Sequence, residues 1–420
     1  MKIKNSVWIF SLILMAFFND IAVAQKNNFP EFGFHFIRNK RSVNIPFLLL
    51  SNLIVVPVII NKSDTLNFIL DTGVSSIIIT DPNLATQLNL KKSRQVKIAG
   101  AGQGNSQMAY VSPGNTFRIG DIIGRNQNIV VLENDFLEIS EILGIKIHGL
   151  FGYDLFNYFV VNIDFSVGNI SLQKPEKFKY KPSKGELFPI EIEETKPYLN
   201  DAFVTINNRT FPSRLMIDTG AGHAISLELT EKDDLKLPQK MIKAQLGKGL
   251  NGIINGQLGR INKFNLGKFE LKDVITSFPD SESVSKKLSK TIERNGNIGC
   301  EILRRFNVTF NYRDKYILLK PINNKFKEAF EHNMSGLEFV ARGEKFKNFF
   351  IERVELNSPG WLAGFREGDQ VISINENMVY EENLSDIYKT LQKKEGKIIT
   401  LLVRRGNEII YNSFMLKRLI

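Results

Sequence analysis

The sequence predicts a mainly β protein made of two equivalent lobes followed by a smaller third domain. Three observations carry this expectation. First, an apolar run closing on Asp-Thr-Gly occurs twice, as Phe68-Ile69-Leu70-Asp71-Thr72-Gly73 and Leu215-Met216-Ile217-Asp218-Thr219-Gly220, 147 positions apart. The same offset carries Ile59 onto Ile206, Gly100 onto Gly247, Phe117 onto Phe264, Gly152 onto Gly299 and Phe159 onto Phe306. A period of this length marks two domain-sized halves and not a solenoid unit. Second, the segments between are short, apolar and rich in β-branched residues, such as Leu53-Ile54-Val55-Val56-Pro57-Val58-Ile59-Ile60, which reads as a strand. Third, the composition changes after a linker at about 322–334.

Taken in order, residues 1–24 read as a secretory leader. Lys2 and Lys4 charge its start, Val7 to Phe18 is apolar, and Ala22-Val23-Ala24 before Gln25 is an A-x-A cleavage site. The apolar run is short for a membrane span, so no stable span is expected after removal of the leader, and the mature chain is expected outside the cytoplasm, periplasmic or secreted. Residues 25–44 are polar and mixed, an N-terminal extension or a displaced edge segment. The first lobe is expected over 45–173. In it, Leu66 to Leu70 and Ser76 to Thr80 are strands, and Asp81-Pro82 caps and starts a short helix. A Lys/Pro-rich segment, 174–185, joins it to the second lobe, 186–321, whose stretch 279–296 reads as an irregular surface loop.

Apolar content of 43% and charged content of 24% are those of a globular protein. The net charge of +11 comes from scattered lysines with no basic stripe or stacking platform, so no nucleic-acid partner is expected. Four His and one Cys leave no metal constellation, and neither metal nor cofactor is expected. Cys300, at the position that Tyr153 holds in the first half, reads as a buried apolar thiol.

Two Asp-Thr-Gly loops meeting across a pseudo-twofold axis would place two carboxyls against each other. Such a pair shares one proton and titrates as a unit. One member can then take a proton from water while the other donates to a carbonyl oxygen, which is general acid–base hydrolysis of an amide. Asp71 and Asp218 are the candidate catalytic residues. Thr72 and Thr219 can hydrogen-bond across to the opposing loop, and Gly73 and Gly220 allow tight turns.

With these residues the sequence resembles single-chain, two-lobed aspartic peptidases with retropepsin-like lobes. Each half also carries that family's later hydrophobic-hydrophobic-Gly signature, Leu150-Phe151-Gly152 and Asn297-Ile298-Gly299, the second departing from it at Asn297. The resemblance implies two acid-protease β-barrel lobes and hairpin flaps over the substrate. Pepsin-like enzymes have one flap and retropepsin dimers two; both halves here are Gly-rich at that place (Gly100, Gly102 and Gly104; Gly247 and Gly249), which favours two. In pepsin-like relatives a hydroxyl residue follows Asp-Thr-Gly and stabilises the ionised carboxylate. Here Val74 and Ala221 follow, so the pH optimum is expected nearer neutrality.

Residues 335–420 resemble a PDZ domain. Gly336-Leu337-Glu338-Phe339 matches the carboxylate-binding loop, Ser358-Pro359-Gly360-Trp361-Leu362-Ala363-Gly364-Phe365 and Gly368-Asp369-Gln370-Val371-Ile372 match later motifs, and 384–393 reads as the groove-lining helix. That module adds a peptide C-terminus to a sheet edge. Glu338 stands where a small residue is usual. The expected function is therefore a secreted or periplasmic aspartic endopeptidase acting on a polypeptide substrate, its PDZ domain binding peptide or regulating access. The alternative is an extracytoplasmic peptide-binding protein with an inactive cleft.

Overall fold

The structure, a computed structural model, describes residues 32–38, 40–228, 236–283 and 294–420. The expected leader and most of the expected 279–296 loop lie outside these residues.

In the first lobe Leu53–Ile60 and Leu66–Leu70 pair antiparallel, with Val55 opposite Ile69. The chain later returns so that Gly149–Phe151 inserts between Leu66–Leu70, to which it is parallel, and Ile77–Ile79. These short strands are buried on both faces, so they are apolar throughout and do not alternate. The second lobe repeats the arrangement with Lys196–Ile206, Arg209–Ile217, Gly296–Ile298 and Ile225–Leu227. Strand order is the same in the two lobes. Each sheet closes on itself, Ile59 meeting Arg118 in one and Val204 meeting Phe264 in the other.

A third sheet joins the lobes. Val160–Asp164 runs antiparallel to Phe306–Asn311, and Asn162 faces Thr309, the residue related to it by the sequence repeat. The pseudo-twofold axis therefore passes through this pair, and Asn162 Nδ2 donates to Thr309 Oγ1 at 2.8 Å. Asn169–Gln173 and Tyr316–Pro321 flank the pair, and Ser42–Pro46 and Glu186–Pro189 form the two edges. Ser42–Pro46, where the expected extension or displaced edge segment meets the first lobe, is an edge strand with Val43 and Ile45 buried. Gly33–Phe36 is another edge strand, paired with Ile122–Leu132 and burying Phe34 and Phe36. A few alternating apolar residues among lysines, arginines and asparagines average to a polar segment, which hides such strands from composition.

One core runs through both lobes and the joining sheet. The high phenylalanine content is spent there: Phe156 stacks on Tyr312 at 5.3 Å between ring centres and meets Phe310 edge-on at 5.0 Å. The Lys/Pro segment is two short 3₁₀ turns, Pro175–Lys177 and Pro182–Lys184.

The third domain has its own core. Leu337–Arg342, Asn348–Val354, Gln370–Ile374, Ile398–Arg405 and Glu408–Met415 form an antiparallel sheet. The helix Leu384–Leu391, N-capped by Asn383, buries Leu384, Ile387 and Leu391 along one face. Fully buried Asp369 accepts two hydrogen bonds from Arg405, at 2.6 and 2.7 Å. The domain is moored to the second lobe: Arg260 donates to the carbonyl of Ile420 at 3.2 Å, and also to that of Phe330 in the linker at 2.8 Å. Among the described residues no helix is long and apolar enough to cross a membrane.

Candidate active site

Asp71 and Asp218 each follow the last residue of a buried strand, Leu70 and Ile217. The returning strand fixes each one, since Asp71 N–H donates to Phe151 O at 2.8 Å and Asp218 N–H to Ile298 O at 2.9 Å. Thr72 and Thr219 are fully buried between the loops. Thr72 N–H donates to Thr219 Oγ1 and Thr219 N–H to Thr72 Oγ1, both at 3.0 Å. Each hydroxyl passes its own proton onward, Thr72 to Ile217 O at 2.6 Å and Thr219 to Leu70 O at 2.9 Å. Four backbone groups with no strand partner are thereby satisfied across the lobe boundary, and the two loops are locked in one register.

The carboxyls lie together in this lock. A Cβ at Gly220 would sit 2.2 Å from Asp71 Cγ, so only glycine admits the opposing aspartate. Likewise a Cβ at Gly152 would sit 1.7 Å from Asp71 O and one at Gly299 would sit 2.1 Å from His223 O, which explains the glycine closing each later signature. Gly73 N–H donates to Asp71 Oδ1 at 2.6 Å and Gly220 N–H to Asp218 Oδ1 at 3.0 Å. Both aspartates are half-buried. Burial, and then the charge and hydrogen bond of Asp218, push the Asp71 carboxyl up to about 8, against the pull of the Gly73 N–H. At neutral pH the pair therefore holds a proton.

Two contacts were not foreseen. Asn297, the departure from the signature, donates from Nδ2 to Asp218 Oδ2 at 2.9 Å. His223 Nε2 lies 2.9 Å from Asn297 Oδ1. The strand pairing of Met216 with Asn297 puts the amide beside the aspartate two residues on. The mismatch of Asn297 with an apolar position was its only sequence signal. Cys300 is buried, its Sγ 3.4 Å from Thr219 O, and burial raises its thiol well above the ordinary value, so it supports the loop and is no nucleophile.

The Gly-rich segments are tips of two long hairpins, built from Arg94–Ile98 and Gln107–Ile119 in the first lobe and from Met241–Gly249 and Gly252–Leu266 in the second. The tips meet. Asn251 N–H donates to Ala101 O at 2.9 Å, Gly104 N–H to Asn251 O at 2.6 Å, Gln103 N–H to Ile253 O at 3.0 Å and Gly100 N–H to Asn251 Oδ1 at 3.2 Å. Gly102 takes a positive φ of 124° and Gly247 one of 150°, and a Cβ at Gly249 would sit 2.3 Å from Ala101 O. Leu250 at the second tip packs on an apolar wall of the first lobe that includes Val74, next to the dyad loop, and Ile98 of the first hairpin.

In the third domain Gly336 turns with φ +71° against Ser358, and Leu337–Arg342 faces the helix Leu384–Leu391 across the groove. The groove is engaged from within. Tyr388 Oη accepts from Phe339 N–H at 2.8 Å and lies 3.3 Å from Phe339 O, the two backbone groups an added strand would use. Glu338 pairs with Arg353 at 2.7 Å. A first-lobe helix, Ile139–Leu143, and the Gly144 that ends it pack on the same two elements, Gly144 lying between Ala341 and Leu384. Glu141 approaches Arg342 at 3.8 Å. Beside that helix Glu138 forms an ion pair with Lys248 of the second hairpin.

Residues 56–155 and 202–301 each match the aspartyl protease family, and residues 350–405 match the PDZ domain family. No curated protein matches the chain. Two lobes of one topology, each with an Asp-Thr-Gly loop and a family match, show that this chain carries two retropepsin-like aspartyl protease regions in tandem, followed by a C-terminal PDZ domain.

Proposed function

We propose that the protein is an aspartic endopeptidase acting outside the cytoplasm, with Asp71 and Asp218 as its catalytic pair. The observation that carries this reading is the reciprocal Thr72–Thr219 exchange, which holds two half-buried carboxyls in one site that retains a proton at neutral pH. A water between them loses a proton to the ionised member while the protonated member polarises the scissile carbonyl. Thr72, Gly73, Thr219 and Gly220 position the pair. The two hairpins, bearing Gly100, Gly102, Gly104, Gly247 and Gly249, act as flaps that part to admit an extended peptide and close to exclude water. The wall around Val74 and Ile98 favours apolar substrate side chains. The charged, apolar and A-x-A segments of residues 1–24 support export to the periplasm or medium.

The PDZ domain regulates access in this reading. Its groove elements hold the first-lobe helix whose neighbour Glu138 pairs with Lys248 of a flap, so a peptide taking the groove would act on the flap through that helix. The test of the whole reading is cleavage of a denatured protein mixture by the wild type and by Asp218→Asn, with new termini read by mass spectrometry. Termini produced by the wild type alone support it. No cleavage by the wild type would favour a peptide-binding cleft without hydrolysis.

A further inference from the structure

The two halves of the site are not chemically equal. Asp218 receives a second donor, Asn297 Nδ2 at 2.9 Å on its Oδ2, besides the Gly220 N–H on Oδ1. At the positions that the 147-residue offset makes equivalent, the first lobe has Leu150 for Asn297 and Ser76 for His223. Leucine offers no hydrogen bond, and among the described residues Asp71 has the Gly73 N–H as its backbone donor. The amide presents its NH₂ to Asp218 Oδ2, which leaves its oxygen, an acceptor only, to take a hydrogen bond from His223 Nε2–H. Burial lowers the pKa of His223, so it acts there as a neutral donor of fixed tautomer.

We propose that Asn297, oriented by His223, breaks the symmetry of the dyad, keeping Asp218 as the ionised carboxylate that deprotonates water and Asp71 as the acid. The inference rests on the hydrolytic reading above and assigns roles within it. The water O–H bond breaks toward Asp218 as its oxygen bonds to the substrate carbonyl carbon. The carbonyl π pair moves to oxygen, which takes the proton of Asp71. When the resulting gem-diol collapses, the C–N bond breaks, the nitrogen takes the proton held by Asp218, and a hydroxyl returns its proton to Asp71. Atoms and charge balance, and the site regains its starting state. Asn297 and His223 reach neither the water nor the substrate in this scheme and act through Asp218, so they are positioning residues.

Other groups facing the pair leave this bias in place. Lys196 faces both carboxyls and Arg294 faces Asp218, so the cations also favour a charged Asp218. The Cys300 thiol and Tyr312 phenol lie toward the pair, and burial keeps both protonated.

The test symmetrises the site by giving the second lobe the residues of the first. A hydrogen bond to a charged acceptor is worth about 1.5–3 kcal/mol, or roughly one to two pKa units. Asn297→Leu should therefore move the acid limb of the kcat/KM profile up by about one pH unit or more, with KM little changed. His223→Ser should move it the same way by less. Ala221→Ser, added to Asn297→Leu, restores a donor beside Asp218 and should bring the limb back. An unmoved acid limb in folded Asn297→Leu and His223→Ser would overturn the inference. So that its failure stays separate from that of the peptidase reading, the carboxyl carbons of Asp71 and Asp218 are titrated by ¹³C NMR in wild type and both variants, which needs no turnover. Two well-separated steps, Asp218 first, that draw together in the variants are expected. Equal separation in all three proteins would overturn the proposal whether or not the wild type cleaves.

Discussion

Asp71 carries the clearest energetic signature of the site. Its carboxyl stands at about 8 in the folded chain against 3.8 as the ordinary value, burial being the largest cause. Between those values the unfolded chain has released a proton that the folded chain keeps. Stability therefore falls as pH rises through this window and is regained below it. Asp71→Asn removes the penalty. It should raise the melting temperature at pH 7, by an amount equivalent to at least about 1 kcal/mol, and abolish cleavage. The gain should vanish near pH 4. Calorimetry at the two pH values checks this, and a variant destabilised at pH 7 would contradict it. Not all residue-scale chemistry was readable from the chain. The paired aspartates Asp71 and Asp218 stood out because the motif is repeated in register. Asn297 stood out only as a misfit, because its contact with Asp218 depends on a parallel pairing of strands some eighty residues apart in sequence.

At the scale of elements, the lock between the two loops is the part most exposed to mutation. Thr219→Val keeps the volume and removes the hydroxyl. It leaves Thr72 N–H without an acceptor and Leu70 O without a donor. A buried group left unsatisfied costs about 1–3 kcal/mol, so the variant should lose roughly 2–4 kcal/mol in urea unfolding, with a fall in activity. A loss below about 0.5 kcal/mol would mean that the exchange does not hold the loops. The strands leading into these loops were legible because each ends on three apolar, buried residues, Phe68-Ile69-Leu70 and Leu215-Met216-Ile217. The edge strands Gly33–Phe36 and Ser42–Pro46 were legible only as an extension or a displaced edge segment, since the first is four residues long and the second buries only Val43 and Ile45 between exposed Ser42, Asn44 and Pro46. Nor does the sequence reveal that Tyr388 closes on the backbone of Phe339, because the two are joined only by the packing of helix on sheet.

At the scale of the molecule, both lobes share one core and the PDZ domain has its own, moored to each lobe by a few polar contacts. His332 sits in that mooring, near Arg260 and Arg353, and burial with these two cations lowers its pKa to about 4. Here the unfolded chain binds a proton that the folded chain refuses. The associated stability is present above the ordinary value of 6.5 and is lost as pH falls toward 4. His332→Gln should flatten the decline in melting temperature between those values, and an unchanged slope would contradict the assignment. The same docking ties the groove of the PDZ domain to the helix beside the second hairpin, so in the proposed reading regulation belongs to the whole chain and not to the module.

The measurement that tests the central claim most directly is the pH profile of cleavage from about pH 3 to pH 8, wild type beside Asp218→Asn. The paired-carboxyl account predicts an optimum nearer neutrality than the ordinary range of aspartate, a decline as the dyad loses its shared proton, and no cleavage by the variant at any pH. An optimum below about pH 3, or a variant as active as the wild type, would contradict it.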